Sequence, residues 1–197
     1  LAEILEEFDQ KHMVLVFRLL AKEEAAETFS YMDSDTREDL INALTDSELE
    51  EIMEEMYLDD TVDVLEEMPA NVVDRLLMVT DEEKRQQINQ LLQYPEDSAG
   101  SIMTTEYVDL REEMTVGQAM AHIKKTGIHK ETIYTCYVTE NRTLVGIVSA
   151  KTLLLSNRET KLETIMQTDF IAVKTTDDKE FAATQIKKYG FLAIPVL

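Results

Sequence analysis

The sequence predicts an α + α/β protein: an N-terminal α-helical solenoid of short helices, followed by a duplicated β-α-β-β-α unit whose second copy is incomplete. Three observations support this fold class. Apolar residues recur every twelve positions through the first half of the 197-residue chain. The second half instead combines β-rich runs with amphipathic helical segments. The acidic charge stops near the middle of the chain, which argues for two domains of different character.

The first half is predicted to consist of stacked helices. Three series of apolar residues are spaced by twelve positions: Met32, Leu44, Met56 and Met68; Phe29, Ile41, Met53, Leu65 and Leu77; and Leu40, Ile52, Val64, Leu76 and Ile88. Each unit therefore has apolar side chains at i, i+1 and i+4, which form one helical face. Thr45 with Glu48 and Thr80 with Glu83 have the spacing of capping boxes. Helices of about two turns are unstable alone and must stack on their neighbours.

The second half is predicted to repeat one α/β unit. Residues 132–140 and 143–150 read as strands, and the two residues between them, Asn141 and Arg142, fit a hairpin. Helices are predicted over 114–127, with Thr115 as the N-cap, over 150–157 and over 177–190, and a further strand over 191–197. The segments 101–110 and 164–173 resemble each other, which indicates a duplication.

Composition excludes several classes of protein. Residues 1–100 contain 28 acidic and 7 basic residues, whereas residues 101–197 contain 12 of each. The net charge of −21 argues against nucleic acid and anionic membranes as partners, because binding to phosphate requires Lys and Arg. No apolar run approaches the length of about 18 residues that spans a membrane. The single cysteine, Cys136, is interpreted as a buried strand residue and not as a reactive thiol, and a chain with one cysteine fits a reducing compartment.

The stretch MYLDDTVDVLEEMP, residues 56–69, poses the main functional question. It carries five carboxylates and no Lys or Arg: Asp59, Asp60, Asp63, Glu66 and Glu67. Like charges three or four residues apart on a helix destabilise it by roughly 0.2–0.5 kcal/mol per pair. We expect these carboxylates to lack compensating bases. Such a helix face is either an ordinary solvated face or a surface that binds divalent cations, and both interpretations stay open at this point.

Several motifs of the second half resemble CBS domains, which occur as tandem pairs. They are Ile102–Met103 and Ile165–Met166, LVGIVS at 144–149 and FLAIPV at 191–196. Together with the acidic helical repeat joined to them by YPEDSAGSIMT at 94–104, they resemble the cytosolic part of an MgtE-type magnesium transporter or channel. The resemblance implies an acidic helical domain over 1–98, a first CBS repeat over 99–158 and a truncated second CBS repeat over 159–197.

The same resemblance implies a function and a set of ligands. The chain would be the regulatory, Mg²⁺-sensing part of a magnesium transporter, in which Mg²⁺ or another divalent cation bound to interdomain carboxylates favours a compact state that closes the pore. The matching motifs place candidate metal ligands at Asp59 and Asp63, at Glu27, and at Asp178 and Glu180. Farther along that last helix, Lys187, Lys188 and Gly190 stand where family members can carry more acid.

The resemblance also implies partners. A transmembrane pore domain would follow the CBS pair, and it is absent from this chain, which is expected to be a soluble fragment from the cytoplasmic face of the membrane. Two copies are expected to form a homodimer through their CBS domains. Nucleic acid is not an expected partner.

Two other functions stay open at this point. CBS pairs often bind adenosine nucleotides, but Lys151 and Thr152 stand where a carboxylate for the ribose is expected, which weakens the site of the first repeat. An acidic helical repeat can also serve as an interaction module for a basic partner. An enzyme is not expected, because His12, His122 and His129 have no metal or triad spacing and no P-loop or Rossmann glycine pattern occurs.

Overall fold

The chain folds into two units. The computed structural model describes residues 1–197 except for the side chain of His129, so the prediction on His129 lies outside the described residues. The chain divides into the compact units Leu1–Gln93, called here the helical unit, and Tyr94–Leu197, called the α/β unit. Among the described residues, no helix combines the length and apolar character that crossing a bilayer requires.

The helical unit follows the predicted twelve-residue period to the residue. Its helices are α1 (Ala2–Glu6), α2 (Gln10–Phe17), α3 (Lys22–Ser30), α4 (Ser34–Ala43), α5 (Asp46–Glu55), α6 (Leu58–Glu67), α7 (Ala70–Val79) and α8 (Glu82–Leu91). From α2 to α8, each helix begins twelve residues after the previous one. All fourteen residues of the three apolar series are buried except Leu77, which is half-buried. The solenoid prediction is therefore confirmed, and the buried series supply its core.

The helix starts agree with one capping prediction and correct the other. Thr45 forms the predicted capping box with Glu48 at the start of α5. The prediction for Thr80 and Glu83 is wrong, because Asp81 is the N-cap of α8 and accepts a hydrogen bond from the backbone N–H of Lys84. Thr80 instead ends α7, where its hydroxyl donates to the carbonyl of Leu76. The carboxylate at Asp81 keeps the twelve-residue register of helix starts, which a start at Thr80 would break.

The α/β unit contains one three-stranded sheet in the order β1-β2-β3. Strand β1 (Tyr107–Arg111) is parallel to β2 (Thr132–Glu140), and β3 (Thr143–Ser149) is antiparallel to β2. Helix α9 (Val116–Thr126) connects β1 to β2, and α10 (Ala150–Leu155) follows β3. Asn141 and Arg142 have φ angles of 49° and 67°, as a two-residue turn between twisted strands requires. The predicted hairpin is therefore confirmed.

Cys136 lies in the core of this sheet. It is fully buried on β2 beside Val108, Val138 and Val148. Burial raises the pKa of the Cys136 thiol to about 11, so the thiol stays protonated at neutral pH. These observations agree with the interpretation of Cys136 as a buried strand residue.

The second repeat has its helix but not its predicted strand. Helix α11 (Lys179–Tyr189) lies within the predicted segment. Residues 191–197 form no strand and make one isolated bridge, between Val173 and Val196. The strand prediction is wrong at this point because Pro195 has no N–H to donate, so this segment bonds residues 173–175 only through the Pro195 carbonyl and the backbone of Leu197.

Candidate functional site

Helix α6 carries all five carboxylates of residues 56–69, and two of them, Asp59 and Asp60, lie in its first turn. Its buried side, formed by Leu58, Thr61, Val62, Val64 and Leu65, packs into the helical unit. Asp59 is half-buried, whereas Asp63 lies one turn later and is exposed. The Oδ1 atom of Asp59 is buried and accepts no hydrogen bond from the residues that the structure describes. A buried carboxylate oxygen without a donor is costly in a folded protein, and such an atom needs an explanation.

The bases of the helical unit serve mainly the ends of its helices. At least five of its seven basic side chains donate to backbone carbonyls where helices end. Arg18 donates to Ala43, Arg37 to Ser30 and Met32, Arg75 to Ile41 and Leu44, Lys84 to Met53 and Met56, and Arg85 to Thr80. The C-terminal end of a helix carries unpaired carbonyls and partial negative charge, which these cations satisfy. These basic side chains therefore stabilise the ends of helices, and the unit as a whole remains strongly acidic.

Some carboxylates of the helical unit accept hydrogen bonds from these basic side chains, and one of these contacts corrects the prediction for residues 56–69. Glu48 accepts from Arg18 at 2.7 Å; this contact, with further help from Thr45, lowers the pKa of Glu48 to about 2. Glu67 accepts from Nη1 of Arg37 at 3.0 Å. The expectation that the carboxylates of residues 56–69 lack compensating bases is therefore wrong for Glu67, because α4 supplies a base from outside the stretch.

Glu27 lies on α3 and its side chain is exposed. Its backbone carbonyl accepts a hydrogen bond from the hydroxyl of Ser30. Helices α3 and α6, which carry Glu27 and Asp59, contact each other within the helical unit. Glu27 therefore lies at the surface, whereas Ala25 and Phe29 on the same helix are buried in the apolar core.

Asp178 and Glu180 lie at the start of α11 in the α/β unit, and both are exposed. Asp178 is the N-cap, and its Oδ1 atom accepts a hydrogen bond of 2.7 Å from the backbone N–H of Glu180. This contact gives Asp178 a structural role of its own, because an N-cap carboxylate stabilises the helix start. The amide of Glu180 consequently reports on anything that binds the Asp178 carboxylate.

The candidate ligands are divided between the two units, with Glu27, Asp59 and Asp63 in the helical unit and Asp178 and Glu180 in the α/β unit. Within each unit, and among the residues described, no three His, Cys, Asp or Glu side chains come together as a group that could hold a metal ion. Carboxylate donors of this kind nevertheless suit Mg²⁺, which takes oxygen ligands, keeps several waters and often accepts only one or two protein carboxylates. The buried Oδ1 atom of Asp59 is the feature of the structure that fits such an ion best.

The residues considered for other functions occupy ordinary positions. Thr152 lies at the start of α10, where its hydroxyl is 2.9 Å from that of Ser149, the N-cap. Nδ1 of His12 contacts the carboxylate of Asp9 at 2.7 Å, at the start of α2. Sequence reasoning gave no role to Asp97, which forms an ion pair with Lys179. The signal that could have found Asp97 is the turn-forming sequence Pro-Glu-Asp-Ser that contains it.

Family models divide the chain in two. A model described as the MgtE intracellular N domain matches residues 1–97, and a CBS domain model matches residues 99–157. Two curated relatives are magnesium transporters called MgtE. The protein of Thermus thermophilus is 33% identical over 98% of this chain and 44% of its own length, and that of Bacillus subtilis is 30% identical over 98% and 46%. The chain thus spans less than half the length of these relatives.

Solved structures give the same result. A crystal structure of the cytosolic domain of the Mg²⁺ channel MgtE in complex with ATP is 32% identical, with a TM-score of 0.90 over 100% of this chain and 86% of that one. The soluble part of a magnesium transporter is 31% identical, with a TM-score of 0.92 over 99% and 77%. A CBS pair from Shewanella oneidensis, 20% identical with a TM-score of 0.54, resembles this chain in fold. Together with the family models, these matches confirm the predicted fold class.

Proposed function

The chain belongs to the MgtE family of magnesium transporters, and we propose that it is a cytosolic regulatory part that senses Mg²⁺ through the carboxylates of its helical and α/β units. In this proposal it acts at the cytoplasmic face of the membrane, regulates a pore domain of the same protein and forms homodimers through its CBS repeats. The observation that carries the proposal is Asp59, whose buried Oδ1 atom has no hydrogen bond among the described residues.

The proposed mechanism follows from charge. Residues 1–93 contain 26 acidic and 7 basic residues, and most of these bases donate to carbonyls at helix ends. Two unit charges 4 Å apart repel by about 1 kcal/mol in water and by about 4 kcal/mol at an effective dielectric constant of 20. Several such pairs would keep the carboxylates of the two units apart at low Mg²⁺.

Bound Mg²⁺ would reverse that repulsion by supplying positive charge between carboxylates. Asp59 and Asp63 are the proposed ligands of the helical unit, with Glu27 as a third, and Asp178 and Glu180 are those of the α/β unit. A cation that binds the compact state more tightly than the extended state shifts the population toward the compact state. We propose that this compact state closes the pore.

Small-angle scattering of this chain across a Mg²⁺ titration at constant ionic strength tests the proposal. We expect the radius of gyration to fall with Mg²⁺ and not with matched Na⁺. The double variant Asp59→Asn/Asp63→Asn is expected to raise the Mg²⁺ concentration at the midpoint at least about tenfold, as the loss of metal contacts commonly does.

A matched control removes the same charge elsewhere on the helical unit. Glu50 and Glu54 are exposed and four residues apart on α5, so Glu50→Gln/Glu54→Gln repeats the spacing and charge change of the first variant. This control is expected to keep the wild-type midpoint. A radius that does not respond to Mg²⁺ in any of the three proteins would contradict sensing by this chain and favour an interaction module.

A nucleotide sensor is a second candidate, because the MgtE cytosolic domain that is 32% identical to this chain was solved in complex with ATP. If this chain also binds the adenosine part, calorimetric titration with ATP in Mg²⁺-free buffer is expected to give saturable heat. Inorganic tripolyphosphate, which carries the charge of ATP without its adenosine, is expected to give none. Equal heats from both compounds, or no heat from ATP, would contradict adenosine recognition.

A further inference from the structure

The segment that begins the α/β unit is bonded to the second repeat beside the start of α11. The N–H groups of Ala99 and Gly100 donate to the carbonyls of Asp177 and Thr175, at 2.6 and 2.9 Å. In the opposite direction, the N–H of Lys179 donates to the carbonyl of Asp97 at 2.8 Å. Ala99 is buried with Val173 and Ala182 in a small core of this unit. The position of Asp97 relative to α11 is therefore fixed by several backbone contacts.

Lys179 stands between the two proposed ligands of α11. Its neighbours in the chain are Asp178 and Glu180. An ammonium group this close in the chain would repel a cation bound at either carboxylate. In the structure the ammonium group is paired with Asp97, because Nζ of Lys179 lies 2.5 Å from Oδ1 of Asp97.

From this geometry we infer that Asp97 is a positioning residue for the proposed Mg²⁺ ligands, because it binds the ammonium group of Lys179 and limits its competition with a cation at Asp178 and Glu180. The inference rests on the proposed function. Asp97 has a φ of 64°, a left-handed conformation in which Asp and Asn are favoured over most other residues. The backbone at this position therefore suits a short side chain that reaches directly toward α11.

The electrostatic evidence agrees with the geometry. The contact with Asp97 is the main cause that raises the pKa of the Lys179 ammonium, and Glu96 and Asp178 contribute less. Both partners of the ion pair are exposed, with relative accessibilities of 45% for Lys179 and 63% for Asp97. Exposed ion pairs contribute little to stability, so we expect this pair to act mainly by fixing the position of the Lys179 ammonium group.

The variant Asp97→Asn tests the inference, because Asn keeps the left-handed backbone and removes the charge that binds Lys179. We expect Mg²⁺ binding at the start of α11 to weaken about threefold to tenfold, since the released ammonium repels the cation. The readout is the NMR shift of the Glu180 amide during titration of this chain with Mg²⁺ alone, because that amide donates to the Asp178 carboxylate. The double variant Asp97→Asn/Lys179→Met is expected to recover the wild-type affinity.

The control is Glu96→Gln, which removes a negative charge from the neighbouring residue. It is expected to weaken Mg²⁺ binding less than twofold. Equal effects of Asp97→Asn and Glu96→Gln, or no recovery in the double variant, would overturn the inference and leave the proposed function standing. If the wild-type Glu180 amide does not respond to Mg²⁺, the proposed site at α11 fails and this inference fails with it, whereas the scattering response tests Asp59 and Asp63 separately.

Discussion

Replacing Arg37 by alanine is expected to lower the free energy of unfolding of the helical unit by about 3–5 kcal/mol, since each buried carbonyl left without a donor costs about 1–3 kcal/mol. The Arg37 side chain is 4% exposed. One of its nitrogens donates to the carbonyls of Ser30 and Met32 at 3.1 and 2.5 Å, and another donates to Glu67. Alanine would leave two carbonyls at the end of α3 without these donors and would open a cavity beside Phe29. Urea unfolding followed by circular dichroism measures the loss.

The variant Glu67→Gln separates the two roles of Arg37. It removes the charge partner and keeps the guanidinium with its carbonyl acceptors. The carboxylate of Glu67 is 58% exposed, so we expect this variant to cost less than about 1 kcal/mol. If Glu67→Gln costs as much as Arg37→Ala, the ion pair and not the helix-end carbonyls determines the stability of this region.

The fold of the helical unit could be predicted because the pattern of apolar residues that determines it is local and repeats every twelve positions. Positions such as Leu40, Ile52 and Val64 recur with the period of the helices and are buried, so the register of apolar residues determines the register of helix starts. The contacts of its bases could not be predicted in the same way. Arg37 and Glu67 are 30 residues apart, and Arg75 reaches carbonyls 31 and 34 residues away. Such contacts form only when helices that are not consecutive in the chain stack on each other, as α5 does on α7 and α6 does on α8.

In the α/β unit, too, a local feature was predicted correctly, whereas a feature that depends on contacts between distant segments was not. Two residues between two strands require left-handed φ angles, and Asn141 and Arg142 adopt them. A strand over 191–197 would need hydrogen-bond partners elsewhere in the chain, and Pro195 has no N–H to donate to them. The carboxylate spacing of α6 likewise identified a charged helix face, but no local pattern reveals which groups stand opposite Asp59 and Asp63. Their role as ligands therefore remains a prediction.

Replacing Gly100 by alanine is expected to lower the free energy of unfolding of the α/β unit by about 2–3 kcal/mol. A Cβ atom at this position would lie 2.7 Å from the Cγ and Cδ1 atoms of Tyr94 and 2.9 Å from the carbonyl oxygen of Thr175. That carbonyl already accepts the N–H of Gly100, so it can move only by weakening this hydrogen bond. The loss is measured by unfolding this chain in urea while following amide signals of residues 94–197.

The matched control is Gly190→Ala, the same substitution where space is open. No atom lies within 4 Å of a Cβ at Gly190, but its φ is +66°, so alanine there costs about 1–2 kcal/mol through backbone strain alone. Equal losses from both variants would mean that Tyr94 and Thr175 yield easily and that the segment 97–100 is loosely held. A larger loss at Gly100 would show that this segment is rigid, which is the condition under which Asp97 can hold Lys179. Gly100→Ala is then also expected to weaken the Mg²⁺ response of the Glu180 amide, whereas Gly190→Ala, at the other end of α11, is expected to leave that response unchanged.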